Sequence, residues 1–270
     1  MIVILISYLR IEDKMKSFLL TVCVIYLGIC LALFLLQRKF LYFPVPAVIS
    51  STLPMNVVEI SFETDGQILQ GWLINKGRDK ALVYYGGNAE NIEQNIDFFK
   101  SINQEYTVYL IAYRGYGNSS GTPSEEKLYQ DALYIFDKVD KQHLSVSLMG
   151  RSLGTGVATY VASKRKIENL ILVTPFDSIE NVAKNIYWIF PVSLLIRDKY
   201  NSHERASMIT ADDILILIAD KDEVIPRART ENLEKELRNR KFESIVINGA
   251  GHNDISIYPQ FSLSIQNTLK

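Results

Sequence analysis

From residue 57 onward, short apolar runs rich in β-branched residues alternate with segments of helix length. The runs are Val57–Phe62, Ile68–Ile74, Ala81–Tyr85, Val108–Tyr113, Leu144–Met149, Leu170–Val173, Ile214–Ala219 and Ser244–Ile247. From the third onward most are separated by helix-length stretches: Glu90–Ile102, Ser124–Lys138, Leu153–Lys164, Arg227–Arg240 and Pro259–Leu269. Continuous apolar strands alternating with helices predict a mostly parallel eight-stranded sheet covered on both faces. The first two runs, joined by Thr64-Asp65-Gly66-Gln67, read as an antiparallel hairpin. A chain of 270 residues without an internal repeat fits one such domain with an addition.

The addition is N-terminal. Ser17 to Leu36 carries no charge and is apolar almost throughout. Twenty helical residues span about 30 Å, the thickness of a bilayer's hydrocarbon core. Lys14 and Lys16 flank one end and Arg38 and Lys39 the other, with Phe40, Tyr42 and Phe43 available to the interface. A buried core helix of this length would keep one polar face, and a cleaved signal would have a shorter apolar region and a small-residue cleavage site. The expectation is therefore an uncleaved single-pass anchor at 17–36, after a tail at 1–16 and before a Pro-rich linker at 37–56. Met15-Lys16 reads as an alternative start of the chain. The flanking charges, three before the span and two after, leave its orientation open.

Composition excludes several classes. The net charge of −1 supplies no field for nucleic acid. The two cysteines, Cys23 and Cys30, both lie inside the apolar run. The globular part is thus expected to have no disulfide, no thiol nucleophile and no cysteine metal site. No metal or organic cofactor is implied.

After the fifth run comes Gly150-Arg151-Ser152-Leu153-Gly154, a G-x-S-x-G sequence between a strand and a helix rich in small residues. A serine at a sharp strand-to-helix turn is the pattern of a nucleophile elbow. Its hydroxyl needs a base, and the base needs an orienting acid. Of the three histidines, His143 reads as a solvated loop residue and His203 lies upstream of the best acid. His252 directly follows the eighth run. Asp222 follows the seventh run with two or three residues of reach. Asp220 and Asp177 are rival acids. The expected triad is Ser152, Asp222 and His252, each beyond the carboxyl end of a strand, where open parallel sheets build their sites. The oxyanion donors are expected from the N–H of Leu153 and from the loop Gly86-Gly87-Asn88, by Asn88 rather than Gly87. Residues 177–211 form the expected cap. Its apolar stretch around Trp188 reads equally as packing or as an acyl-binding wall, and Gly87 and Trp188 are the candidate substrate contacts.

Gly86–Ala89, Tyr113–Ser124, Gly150–Gly156, Thr174-Pro175-Phe176, Pro191-Val192, Asp198-Lys199-Tyr200, Asp222–Pro226 and Gly251-His252-Asn253 occur together in that order. With Arg38–Pro44 after the anchor, they resemble the membrane-anchored α/β-hydrolase-domain serine hydrolases related to prolyl oligopeptidases. The resemblance covers about residues 38–255. It implies an α/β-hydrolase fold, the Ser152–Asp222–His252 triad, and an anchored domain usually outside the cytoplasm. One departure is that many relatives have His-Gly-Asn where this chain has Gly86-Gly87-Asn88. The backbone donor survives that change and a histidine side chain does not. Arg114, in the glycine-rich loop after the fourth run, reads as a packing or ion-pair residue.

The resulting expectation is a serine hydrolase acting on an acyl ester or thioester presented near a membrane. A peptidase or amidase of the same fold is the alternative enzyme. A non-catalytic anchored scaffold is the alternative of another class.

Overall fold

The computed structural model describes residues 2–47, 54–102 and 104–270. In chain order the elements are α1 (Ile2–Leu41), β1 (Val57–Thr64), β2 (Gln67–Ile74), β3 (Lys80–Tyr85), α2 (Ile96–Ile102), β4 (Tyr106–Ile111), α3 (Glu125–Asp140), β5 (Ser145–Arg151) and α4 (Leu153–Ala162). They continue with β6 (Lys166–Val173), α5 (Ile179–Ile186), α6 (Val192–Leu195), α7 (Ser202–Ala206), β7 (Thr210–Ala219), α8 (Arg227–Leu237), β8 (Phe242–Ile247) and α9 (Pro259–Thr268).

The eight strands form one sheet in the order β1-β2-β4-β3-β5-β6-β7-β8. β1 with β2 and β2 with β4 are antiparallel, and every later pair is parallel. The β1–β2 turn has positive φ at both central residues, 51° at Asp65 and 67° at Gly66, as a type I′ hairpin requires. On one side of the sheet α3, α4, α7 and α8 pack in succession. α2 and α9 meet separately, with Phe98 and Phe261 rings 5.5 Å apart. β4 is buried along its whole length, and β3 everywhere except Lys80, because both of their faces are covered.

The strand ends differ from the apolar runs in a consistent way. β6 begins at Lys166 and β7 at Thr210, four residues before each apolar run. Most of those leading residues are polar, and all four in β7 are at least partly exposed, although Ile167 and Asn169 of β6 are buried; pairing between β6 and β7 makes them strand. Glu90–Ile102 is shorter as a helix than its pattern predicts, a 3₁₀ turn at Ile92–Asn95 preceding α2. Ser124 is the cap of α3 rather than its first residue, accepting the Lys127 N–H at 3.4 Å. Segment 177–211, which has no clear periodicity, holds the three short helices α5 to α7.

α1 is one continuous 40-residue helix, running through residues the sequence pattern divides among tail, span and linker. No proline or glycine-rich break interrupts it until Pro44. Its stretch from Leu9 to Leu41 is long and apolar enough to cross a membrane, and almost none of it is covered by the rest of the chain. Residues 48–53 of the expected linker lie outside the described residues.

Arg114 is the ion-pair residue its setting predicts. It is 4% exposed and grips Asp131 of α3 with two hydrogen bonds, Nε to Oδ2 at 2.7 Å and Nη2 to Oδ1 at 2.5 Å. The pair ties the loop after β4 to α3. Removing Arg114 leaves the Asp131 charge buried and unmatched, which costs about 3–5 kcal/mol. Arg114 without Asp131 keeps Asp65, whose Oδ2 lies 3.4 Å from Nη1. Arg114→Met should therefore lower the unfolding free energy in denaturant by that measure, and Asp131→Leu by less. The double replacement should recover most of the loss.

Candidate active site

Ser152 joins β5 to α4 with φ 48° and ψ −116°, a conformation that non-glycine residues rarely hold and that costs roughly 1–3 kcal/mol. Its N–H is tied to Val173 O at 2.9 Å, and its carbonyl accepts the Thr155 N–H at 2.9 Å and the Thr155 hydroxyl at 2.6 Å. The turn closes only because Gly154 lacks a side chain. A Cβ there would lie 2.0 Å from the Tyr85 carbonyl oxygen of β3. The sharp turn leaves the serine side chain half-buried at the carboxyl edge of the sheet.

His252 follows β8 and its Nε2 lies 2.9 Å from Ser152 Oγ. Its Nδ1 lies 2.8 Å from Asp222 Oδ2 and 3.0 Å from Oδ1. An ionised carboxylate can only accept, so the Nδ1 proton points to Asp222 and Nε2 is left as the acceptor for the serine hydroxyl. The Asp222 carboxylate is itself fixed, Oδ1 accepting the N–H groups of Val224 at 2.9 Å and Ile225 at 2.7 Å. The three residues that the strand order groups in sequence are thus in one hydrogen-bonded line.

The rival residues are engaged elsewhere. Asp177 is buried and accepts from Asn181, Arg229 and Asn232 at 3.1 to 3.2 Å, joining α5 to α8. Asp220, just past β7, accepts the Gly249 N–H of the turn after β8 at 3.2 Å. His203 Nδ1 donates to the Asp177 carbonyl at 3.0 Å. His143 is not simply solvated. It is half-buried, with Nδ1 donating to Arg78 O and Nε2 accepting from the Tyr109 hydroxyl, each at 2.8 Å.

β3 and β5 are paired in register, Tyr85 opposite Gly150, so the loop after β3 lies beside the elbow. A Cβ on Gly87 would lie 3.7 Å from Ser152 Cβ. Leu153 opens α4, and its N–H is among the first-turn donors that no helical carbonyl satisfies. The Gly87 N–H donates to Glu90 Oε2. The Asn88 side chain has a separate task. Its Nδ2 donates to Leu41 O at 2.6 Å, and its Oδ1 accepts from the Tyr116 hydroxyl at 2.7 Å and the Phe43 N–H at 3.0 Å. The end of α1 is thereby attached to the loop beside Ser152.

Glu90 and Arg151 belong to this neighbourhood and are not singled out by sequence. Glu90 accepts from Tyr84 and Asn95, each at 2.7 Å. Burial, then the Glu90 carboxylate, push the Tyr84 phenol well above its ordinary range, which keeps it a donor. Arg151 donates to Asn253 O at 3.1 Å, bracing the loop that carries His252. Their only sequence signal is a charge beside each glycine motif. Trp188 stands apart from the cluster. It is 77% exposed, next to Ile189, whose carbonyl accepts from Tyr26 of α1 at 3.0 Å. Among the described residues no group of three or more His, Cys, Asp or Glu is arranged to hold a metal ion.

The end of α1 and Tyr42 just after it are bound to the cap by a polar knot around the buried Asp198. Arg38 pairs with Asp198 through Nε at 2.9 Å and Nη2 at 3.1 Å. The Tyr42 hydroxyl bridges Asp198 at 3.0 Å and Tyr200 at 2.8 Å. Burial and the Asp198 charge drive the Tyr42 phenol far above its ordinary range.

A family model described as the alpha/beta hydrolase fold matches residues 80–194. An uncharacterised protein of Mycobacterium tuberculosis is 30% identical over 239 residues, covering 84% of each chain. The alpha/beta hydrolase domain-containing protein 17B of Xenopus laevis is 30% identical over 192 residues, 67% of this chain and 62% of that one. Among solved structures, an esterase of Pyrococcus furiosus superposes with a TM-score of 0.65 at 18% identity, over 84% of this chain and 98% of the other. An alpha-beta hydrolase of Vibrio vulnificus gives 0.66 at 18%, over 79% and 81%. The chain has the α/β-hydrolase fold and belongs to the α/β-hydrolase family.

Gly154→Ala should be expensive, because its methyl meets β3 backbone that cannot yield. The expected loss is about 1–3 kcal/mol or more, read as a lowered melting temperature. An alanine chain melting with the wild type would show that the elbow is not held against Tyr85.

Proposed function

We propose that this chain is a membrane-anchored serine hydrolase, of the branch related to prolyl oligopeptidases, that cleaves an acyl ester or thioester. The observation that carries the reading is the line Ser152 Oγ–His252 Nε2–Asp222, at 2.9 and 2.8 Å. These are hydrogen-bond distances for nucleophile to base and base to orienting acid.

In this reading Ser152 Oγ attacks the substrate carbonyl while His252 Nε2 takes its proton. Asp222 holds the imidazole tautomer and stabilises the imidazolium. The oxyanion receives N–H groups of Leu153 and Asn88. Collapse breaks the bond to the leaving oxygen or sulfur, which takes the proton from His252. Water then attacks the acyl-serine, giving its proton to His252, and the acid leaves as Ser152 recovers a hydrogen.

A fluorophosphonate probe should label the intact protein at Ser152 and leave Ser152→Ala unlabelled. Labelling that persists in the alanine chain would overturn the assignment. Asp222→Asn should retain substrate binding and lower kcat by about 10⁴, since the amide favours the wrong tautomer. Panels of acyl esters, thioesters and peptides then separate esterase from peptidase.

The Ser17–Leu36 run is the proposed span, with the hydrolase domain on the extracytoplasmic side. Protease added to sealed right-side-out vesicles should digest that domain. Full protection would reverse the orientation.

A further inference from the structure

We infer that cap residues 185–196 form a second membrane-inserting element, a tip that enters the bilayer hydrocarbon alongside α1. The inference rests on the reading of α1 as a membrane span and extends it to a part of the catalytic domain.

The first ground is composition. No charged residue lies between Lys184 and Arg197, a run of twelve residues flanked by a cation at each end. Val192 is buried, but several of the run's other apolar side chains are not turned inward. Ile186, Trp188, Ile189 and Leu194 are all largely exposed, Leu194 at 83%. Isolated exposed apolar residues are ordinary, whereas a contiguous group on one segment marks a surface that something apolar covers.

The second ground is register against α1. Gln37 Nε2 donates to Leu195 O at 2.9 Å, and the Arg197 N–H donates to Gln37 Oε1 at 2.7 Å. Arg197 also lies over the Phe34 ring, 5.7 Å from its centroid. Deeper along the helix, the Tyr26 hydroxyl donates to Ile189 O at 3.0 Å and the Tyr26 ring stacks on Phe190 at 5.8 Å. The tip therefore runs down α1 from Gln37 to Tyr26. Tyr26 is ten residues before Leu36, about 15 Å along a helix axis. A bilayer that covers the uncharged run 17–36 covers the tip at the same time. The two polar boundaries coincide, since Arg197 and Asp198 meet α1 at Gln37 and Arg38.

The third ground is backbone accounting. Hydrocarbon offers no partners for peptide groups, so an inserted segment must satisfy its own. Six of the nine N–H groups from Tyr187 to Ile196, those of Tyr187, Phe190, Val192, Leu194, Leu195 and Ile196, have carbonyl acceptors within residues 183–192, and those of Trp188, Ile189 and Ser193 are left over. Proline at 191 has no N–H to satisfy. Lys184, the first charge upstream, is paired with Glu180 at 2.7 Å and has a stem long enough to reach the headgroups. Between the tip and α1 lies a cavity of about 150 Å³ lined by Leu33, Phe40, Leu41, Ile179, Tyr187 and Phe190 among others. Once the tip is inserted, lipid covers this apolar space.

The chain has two tryptophans, Trp72 in the core and Trp188 on the tip. The full chain is reconstituted in phosphatidylcholine vesicles with or without acyl-chain bromines. The fluorescence of Trp188→Phe is subtracted from that of the wild type, which isolates Trp188. Quenching of at least twofold by the acyl-chain bromines is expected. Leu194→Trp in the Trp188→Phe background is a second reporter on the same tip and should be quenched alike. Leu27→Trp in that background reports on α1. Quenching at Leu27→Trp with none at either tip position overturns the inserted tip and leaves the span intact. Absence of quenching at Leu27→Trp overturns the span itself, and the inference with it.

Discussion

Ser152 holds a left-handed backbone because Val173 of β6 and the start of α4 grip it from both sides, while Gly154 lets α4 press against the carbonyl of Tyr85. This contact between the elbow and β3 sets the rest of the site. It brings the loop after β3 beside the candidate nucleophile, and the parallel order of β5 to β8 delivers Asp222 and His252 to the same edge. A strained serine is stable only where the surrounding sheet over-determines it. Here that sheet is buried on both faces, and its central strands admit almost no solvent.

A second set of contacts joins this rigid edge to α1. Asn88 is their pivot, since it follows Gly87, which lies beside Ser152, and its side chain is bound to Leu41, Phe43 and Tyr116. Arg38, Asp198, Tyr42 and Tyr200 add a buried knot on the cap side. The apolar helix is therefore structurally continuous with the site rather than tethered to it by a loose linker. Its end forms one wall of the cavity beneath the cap.

Much of the fold was legible from periodicity. The buried parallel strands β3 to β7 announce themselves as β-branched apolar runs because both faces are covered. The polar leading ends of β6 and β7 were not legible, since strand pairing there carries no hydrophobic signature. Segment 177–211 was opaque for a related reason. Its short helices exist through contacts with α1 and α8, and four- to eight-residue helices have little intrinsic stability. At the site, Ser152, Asp222 and His252 were readable because motif and strand order converge on them. Glu90 and Arg151 were not, because a single charge beside a glycine has no pattern of its own.

The sequence by itself determined the parallel α/β architecture, the elbow, and the order in which serine, acid and histidine arrive, because each follows from local spacing and burial. It also determined that one apolar helix precedes the domain. Only the tertiary structure decided that Asp177 serves a structural network and that Trp188 lies on the cap's outer tip. It alone joined α1 to Asn88 and aligned the tip of the cap with Tyr26. These are relations between residues 45 to 163 positions apart. Only the packed chain can specify them, because local spacing has no reach over such distances.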